Sequence, residues 1–278
     1  MAKSALLYLV PLLLTPVLAG AVRLLGGPER GARVAGMAVV PAFALGWVLI
    51  VRPAWAPVDD ISRIGHIALG TTLLGLLLDL IAAGRFWRAV GAAGTVLVCA
   101  WGSYTDTLAL PTAAAPLLPV ALLAAVAFVI LARLDAVRGE GATPLILMAM
   151  AGFGIFFMAR VVGDTTVAAS ALILALAVLG FVLPQAIASL PVGNSIILGG
   201  GSVLLAVTWA LAHNHPQTRL ALLLVPMIFF AEGTAKRVPL PEARISGVLY
   251  PLLLAVLAGL PLVLAVLVTY ATVNSAIE

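Results

Sequence analysis

One carboxylate stands well inside an apolar stretch of this sequence. Asp79 lies in the segment 73–80, LLGLLLDL. A carboxylate in the middle of a membrane helix costs at least about 2.5–3.5 kcal/mol, so it is expected to face a partner, a cavity or a solute pathway. It could then bind a proton or a coupling ion. The alternative is a structural carboxylate near a helix end that pairs with Arg85 or Arg88.

Small residues accompany this carboxylate and recur later in the chain. Thr71, Gly75 and Asp79 are spaced by four and share one helix face, with Thr72 beside it. At an offset of 129 residues Thr208 matches Asp79, and the segment before it contains Gly199, Gly200, Gly201 and Ser202. Paired glycine segments are typical of transporter sites, where interrupted helices aim backbone groups at a solute. The alternative is close helix packing, since small residues let membrane helices approach.

Histidines and acids outside the apolar stretches could form a metal site. Three of each fall on the same predicted side of the membrane: His66, His213, His215, Asp59, Asp60 and Asp106. Imidazole and carboxylate groups suit zinc or another divalent ion. Loop histidines are usually solvated, so we predict no metal and no other cofactor, and we keep the three histidines only as candidate ligands.

The sequence lacks the motifs of several enzyme classes. It has no His-Glu-x-x-His zinc helix, no Gly-x-Ser-x-Gly nucleophile turn and no Walker-type phosphate loop. The pair Asp59-Asp60 lacks the further aspartates with which intramembrane prenyl transferases hold magnesium and diphosphate. We therefore expect no catalytic site. A lipid-handling membrane enzyme that uses the acidic and histidine loops is the alternative.

The elements that position these residues must be membrane helices. Of the 278 residues 63% are hydrophobic and only 9% are charged, with a mean hydropathy of +1.21, whereas soluble domains are about 45–50% apolar and about 25% charged. This composition excludes a cytosolic enzyme, a disordered regulator and a nucleic-acid-binding domain, and makes the lipid bilayer the expected partner. The segment 252–268 is apolar on every face, which favours helices over a β-barrel. We predict an all-α integral membrane protein.

Ten apolar stretches are candidates for crossing the bilayer. About 20 residues are needed for each crossing, and Pro226 predicts a kink in the ninth stretch. The alternative for the first stretch is a cleaved signal peptide. The predicted spans are 4–25, 34–51, 66–83, 89–109, 114–134, 144–162, 165–187, 195–212, 219–232 and 245–272.

The basic residues predict how these helices are oriented. Ten fall on one side: Arg23, Arg30, Arg33, Arg85, Arg88, Arg133, Arg138, Lys236, Arg237 and Arg244. Five fall on the other: Lys3, Arg52, Arg63, Arg160 and Arg219. Cytoplasmic loops carry the excess of Lys and Arg, so we predict that both termini are outside. The preference for arginine over lysine suggests a bacterium with a GC-rich genome, and hence its inner membrane.

Short fragments recur in the two halves of the chain. Examples are RLLG at 23–26 with RVVG at 160–163, and GHIALGTT at 65–72 with NSIILGGG at 194–201. These matches predict two units of five helices, 1–139 and 140–278. An odd number of helices in each unit would invert the second relative to the first, as in many secondary transporters. Chance matches in a chain rich in Ala, Leu, Gly and Val are the alternative.

Three functions are compatible with these features. The first is a small secondary transporter or permease for an unidentified solute or lipid-like substrate, with its site between the third and eighth spans. The second is a non-catalytic subunit that scaffolds partner proteins in a larger membrane complex. The third is the lipid-handling intramembrane enzyme.

Overall fold

The computed structural model describes residues 2–54, 56, 60–104, 117–239 and 246–275. Within these ranges the regular structure is entirely helical. The α-helices are α1 (Ala2–Gly26), α2 (Ala32–Val34), α3 (Val39–Ile50), α4 (Asp60–Leu80), α5 (Arg85–Tyr104), α6 (Leu117–Ala136), α7 (Thr143–Val161), α8 (Thr165–Ala188), α9 (Asn194–Asn214), α10 (Arg219–Leu222), α11 (Ala231–Ala235) and α12 (Ser246–Ser275). Several predicted features lie outside the described residues: Arg244, Asp59, Asp106, the side chains of Lys3 and Asp60, and the span ends 105–109 and 114–116.

Seven segments of the described chain are long and apolar enough to cross a membrane. They are Leu6–Ile50, Ile61–Leu80, Thr143–Val161, Thr165–Ala188, Asn194–Asn214, Pro216–Ala235 and Leu249–Ser275. These helices support an all-α, polytopic fold embedded in a membrane. Seven is fewer than the ten crossings that the sequence predicts, although the first segment contains both α1 and α3. The division into units 1–139 and 140–278 stays a prediction.

Two of these segments are interrupted. Between α1 and α3 the chain forms a π-turn at Gly27–Gly31, the short α2 and a 3-10 turn at Ala35–Ala38. In the ninth predicted span, a 3-10 stretch at Val225–Phe230 separates α10 from α11. Pro226 lies in this stretch, and a proline inside a helix kinks or breaks it because it lacks an N–H donor and its ring clashes with the carbonyl four residues earlier. The ninth span is therefore broken where the sequence predicts a kink.

The helices pack around an apolar interior and present large apolar side chains outward. Phe43 and Phe181 are fully buried, whereas Leu73, Leu77 and Val256 are each about 60% exposed or more. The main contacts join α4 to α9, α7 to α8, α1 to α8 and α7 to α12. A continuous apolar exterior of this kind marks a surface that contacts lipid.

Many of the charged side chains gather at one end of the bundle, called here the basic end. Ion pairs join Arg133 to Glu232 and Lys236 to both Glu232 and Glu140. Arg88, Arg138 and Asp135 form a second cluster at this end. The opposite end carries Asp164 and His215, whose side chains lie 3.3 Å apart. The prediction that the basic end faces the cytoplasm rests on its number of cations.

Candidate functional site

The third and eighth predicted spans, α4 and α9, run antiparallel and in close contact. Thr71 faces Ser202, whereas Asp79 near the end of α4 faces Asn194 at the start of α9. The glycine at position 75 permits this approach, because a Cβ there would lie 2.6 Å from the carbonyl oxygen of Asn194. A Cβ at Gly199 would likewise collide with the Thr72 hydroxyl. Gly75 and Gly199 therefore let α4 and α9 approach more closely than residues with a side chain would allow.

The Asp79 carboxylate caps the start of α9 from the neighbouring helix. Its Oδ1 accepts hydrogen bonds from the backbone N–H and side-chain amide of Asn194, at 2.7 and 2.8 Å. Its Oδ2 accepts from the backbone N–H and hydroxyl of Ser195, both at 2.9 Å. The first N–H groups of a helix have no partner inside the helix, and the helix dipole favours a negative charge there. Asp79 is only 2% exposed, so this capping takes place inside the protein.

The glycine before α9 makes room for the carboxylate. Gly193 is the N-cap residue of α9 and has no side chain with which to cap its own helix. A Cβ at Gly193 would lie 2.5 Å from Oδ2 of Asp79 and 3.1 Å from the carbonyl oxygen of Arg33. The cap is therefore supplied by α4, and it fits only because position 193 has no Cβ.

A polar network connects this cap to the basic end. The Nη1 of Arg138 lies 3.2 Å from the Oδ1 of Asn194 and 3.2 Å from the Oδ1 of Asp135. The Nη1 of Arg88 donates to the same Asp135 oxygen at 2.9 Å. Arg88 thus pairs with Asp135 rather than with Asp79, and the Asn194 side chain links Asp79 to Arg138. Among the described residues, no Lys or Arg forms an ion pair with Asp79.

Hydroxyl groups occupy the middle of the α4–α9 contact. The oxygens of Thr71 and Ser202 lie 2.7 Å apart, and either can donate to the other. Because each hydroxyl has one proton, one of the two donates across the contact while the other donates within its own helix, Thr71 to the carbonyl oxygen of Ile67 or Ser202 to that of Gly199. The Thr72 hydroxyl donates to the carbonyl oxygen of Ala68 at 2.6 Å. These polar side chains are buried in the contact, where a solute or proton could reach them only if the helices moved apart.

The structure divides the predicted site residues into two groups. Those brought together at the α4–α9 contact are Thr71, Thr72, Gly75, Asp79, Gly199 and Ser202. Gly200 instead contacts Met148 of α7, and Gly201 contacts Leu131 of α6. The Thr208 hydroxyl donates to Leu204 within α9 at 2.7 Å. Gly200 and Gly201 therefore face helices other than α4.

Sequence reasoning missed the residues of α9 that receive the carboxylate. Gly193, Asn194 and Ser195 precede a long apolar run, and Asn or Ser at that point is a common signal for a helix start. From that signal we could have predicted that α9 begins here and that its first N–H groups need an acceptor from another element, such as a carboxylate. Arg138 was also missed, because its role depends on where α6 ends relative to α9.

The candidate metal ligands lie apart or make other contacts. The Nδ1 of His66 lies 3.1 Å from the carbonyl oxygen of Ser62 in the same helix. His215 contacts Asp164, and His213 is exposed near the end of α9. In the part of the chain that the structure describes, no three His, Cys, Asp or Glu side chains come together as a metal ligand set.

No protein-family model matches this chain, and no curated protein matches it. The functional assignment therefore rests on the chemistry of the α4–α9 contact, where a buried carboxylate from one membrane helix closes the start of another.

Proposed function

We propose that this protein is a small secondary transporter or permease in which Asp79 binds the coupling proton. The observation that carries the proposal is the capping of α9 by a carboxylate on α4, with four donors and no directly paired cation. An ionisable group inside a membrane protein is by default a candidate for a proton or ion pathway.

Protonation of Asp79 would weaken the contact between the two helices. A carboxylate accepts all four hydrogen bonds, whereas a carboxylic acid carries an O–H donor on one oxygen. Two of the four groups around Asp79, the backbone N–H groups of Asn194 and Ser195, can only donate, so the proton would be accepted at the cap only after the Ser195 hydroxyl or the Asn194 amide had turned. Protonation also removes the negative charge facing the positive end of the α9 dipole. The start of α9 is then free to separate from α4 and expose the buried hydroxyls of Thr71 and Ser202.

Charged groups on the neighbouring elements bear on this step. The neighbouring elements carry Arg33 on α2, Arg88 on α5 and Arg138 just after α6. Arg138 is connected to Asp79 through Asn194. If the Asn194 amide turned its oxygen toward a protonated Asp79, its bond to Arg138 would be lost. Protonation of Asp79 would therefore release Arg138 at the basic end from its bond to Asn194.

Four features of the fold support the transporter architecture. If α1 and α3 each crossed the bilayer, and α5 and α6 crossed it besides the remaining six segments, the chain would have the ten crossings of two five-helix units. The antiparallel contact of α4 and α9 is what an inverted repeat would produce between equivalent helices. Thr71 and Ser202 face each other at a sequence separation of 131 residues, close to the offset of the recurring fragments. The break at Pro226 adds a candidate hinge.

The proposed setting and substrate follow from the distribution of charge. The interior of the described helices holds few ionisable side chains besides Asp79, which favours an uncharged or lipid-like substrate over a strongly charged one. The excess of cations at the basic end favours an orientation with both termini outside, and the preference for arginine over lysine favours the inner membrane of a bacterium with a GC-rich genome.

Proton binding can be tested before the substrate is known. Purified protein in proteoliposomes is adsorbed on a solid-supported membrane, and the transient charge displacement is recorded when the outer solution is stepped to acidic pH. We expect a transient in the wild type and none in Asp79→Asn, because the amide cannot bind the proton. Asp164→Asn is the matched control, since Asp164 also caps a helix start, that of α8, at the opposite end.

The outcome is clear only if the variants are folded. Elution as a single species and a melting temperature close to that of the wild type establish this for each variant. A folded Asp79→Asn protein with an undiminished transient would show that the proton binds elsewhere, and the coupling role of Asp79 would be wrong.

The second candidate function is a non-catalytic subunit of a larger membrane complex. It is favoured by the close fit of the α4–α9 contact, where there is no room for a side chain at Gly75 or Gly193 and both oxygens of Asp79 accept hydrogen bonds. Gentle extraction from native membranes and mass spectrometry of the captured material separate the two. If a protein partner is captured in stoichiometric amount and this protein shows no pH-driven transient, its function is that of a scaffold. The role of Asp79 would then be only to stabilise the fold.

A further inference from the structure

A cavity of about 440 Å³ opens between α5 and α6 at the basic end. Three arginines and one acid line it: Arg85, Arg88, Arg138 and Asp135. Both Arg88 and Arg138 bond to the same oxygen of Asp135, at 2.9 and 3.2 Å. One carboxylate therefore serves two guanidinium groups while Arg85 is exposed. The lining carries two positive charges in excess.

One donor of an arginine that lines this cavity has no acceptor. The Nε of Arg88 is buried and has no hydrogen-bond partner among the described residues. Buried donors in folded proteins are nearly always satisfied, so an unpaired one calls for a missing acceptor. Arginine presents its donors as a planar fork that matches the oxygens of a phosphate or carboxylate. An oxyanion in the cavity would balance the excess charge, and a shift of the Arg88 side chain would let it accept from this donor.

The rest of the cavity is apolar and lies beside aromatic side chains. Ala92, Phe128 and Ala132 form its apolar wall. Phe86 and Trp87, in the first turn of α5, are 71% and 57% exposed. Exposed aromatic residues at a helix end mark the level of the lipid headgroups. The cavity therefore offers a charged rim at headgroup level and an apolar wall toward the bilayer interior.

We infer that this cavity binds the phosphate group of an anionic lipid. The arginines would hold the phosphate oxygens, and the acyl chains would lie along the wall formed by Ala92, Phe128 and Ala132. Basic pockets between membrane helices bind anionic headgroups in this way. The inference does not depend on transport or on a proton at Asp79. The shared chemistry is a phosphate oxyanion, whose source is either a lipid headgroup or free phosphate.

Binding at this cavity would also be connected to the α4–α9 contact. Arg138 lines the cavity and at the same time holds the side chain of Asn194, which in turn bonds to Asp79. A phosphate that draws Arg138 toward the cavity would compete with Asn194 for the guanidinium group. The bound lipid would then influence how firmly the start of α9 is held.

The test is native mass spectrometry of the intact protein in detergent. Equal amounts of phosphatidylglycerol and phosphatidylcholine are added, alone and with inorganic phosphate as competitor. We expect phosphatidylglycerol to be retained in preference, and Arg85→Gln to reduce this retention about fivefold, since an arginine near anionic lipid contributes about 1 kcal/mol. Arg88→Gln should reduce it further. Arg85→Gln is the safer variant, because Arg85 makes none of the ion pairs found among the described residues.

The control and the outcomes distinguish the sources of the anion. Arg160→Gln removes an exposed arginine at the opposite end of the bundle and should leave retention unchanged. A preference for phosphatidylglycerol that depends on Arg85 supports a lipid headgroup as ligand. Binding of inorganic phosphate without a lipid preference, lost in the same variants, supports the site with a free anion as ligand. Equal retention of both lipids, with no binding of phosphate that depends on Arg85, overturns the inference.

Discussion

Replacing Asp79 by alanine is expected to lower the stability of the folded protein by at least about 3 kcal/mol. The variant leaves two backbone N–H groups, one amide and one hydroxyl without acceptors inside the protein. Each buried donor left unpaired costs about 1–3 kcal/mol, and membrane protein interiors have no water to replace the lost bonds. The melting temperature in detergent, measured by intrinsic fluorescence, reports the loss.

A matched variant separates this effect from the ordinary cost of removing a helix cap. Asp164 caps α8 through the N–H groups of Thr166 and Val167, at 3.1 and 2.9 Å. Asp164→Ala should cost only about 1 kcal/mol, as a cap near the surface does. Equal losses in the two alanine variants would show that the interior position of Asp79 adds nothing to its role.

Replacing Gly75 by alanine is the second change with a large expected effect. The new Cβ would lie 2.6 Å from the Asn194 carbonyl oxygen and from the Cα of Ser195. Both are backbone atoms that cannot rotate away, so α4 and α9 must separate at this point. Overpacking of this kind costs about 1–3 kcal/mol, and separation also lengthens the bonds to Asp79. We expect a lower melting temperature and a weakened pH-driven transient.

Gly70 provides the control on the same helix. It lies on the outer face of α4, and a Cβ there meets no atom within 4 Å. Gly70→Ala should therefore leave both the melting temperature and the transient unchanged or slightly raise stability, since alanine favours a helix. If Gly75→Ala behaved like Gly70→Ala, the close contact between α4 and the start of α9 would be contradicted.

The helical membrane fold was predictable because it depends on composition. Runs of about 20 apolar residues leave no other way to satisfy the backbone inside a bilayer. Interruptions were harder to predict. The break at Pro226 has a local signal in the sequence, whereas the π-turn at Gly27–Gly31 packs back against the end of α1 and depends on tertiary contacts.

The site was predictable only in part, for a physical reason. Asp79 and Gly75 stand out because a charge or a glycine in an apolar helix is unusual and requires a cause. Their partners on α9 do not stand out, because Asn194 and Ser195 act mainly through backbone N–H groups that every residue has. The offset of 129 residues matched Asp79 with Thr208 as equivalent positions in the two halves of the chain. Because α4 and α9 are antiparallel, however, the end of α4 lies beside the start of α9, so Asp79 contacts Asn194 instead.

The same distinction explains the glycine segment 199–201. The three glycines are adjacent in sequence, and successive residues of a helix point about 100° apart, so they face three different neighbours. Gly199 faces Thr72, Gly200 faces Met148 and Gly201 faces Leu131. Only the first belongs to the contact with α4. A run of small residues thus indicates that α9 is enclosed on several sides, which its position among α4, α5 and α7 bears out.

The central claim is that α4 and α9 must separate for the protein to work, and a reversible cross-link tests it most directly. Thr71→Cys and Ser202→Cys place two thiols where hydroxyl oxygens lie 2.7 Å apart. Cys99 is replaced by alanine in this background, because its sulfur lies 3.8 Å from the Ser202 carbonyl oxygen.

The measurement is the pH-driven charge displacement of this protein in proteoliposomes, before and after reduction of the disulfide. We predict that the oxidised protein shows no transient and that reduction restores it, since the disulfide holds the two helices together. An oxidised protein with the same transient as its reduced form would contradict the account, because α4 and α9 would then not need to move.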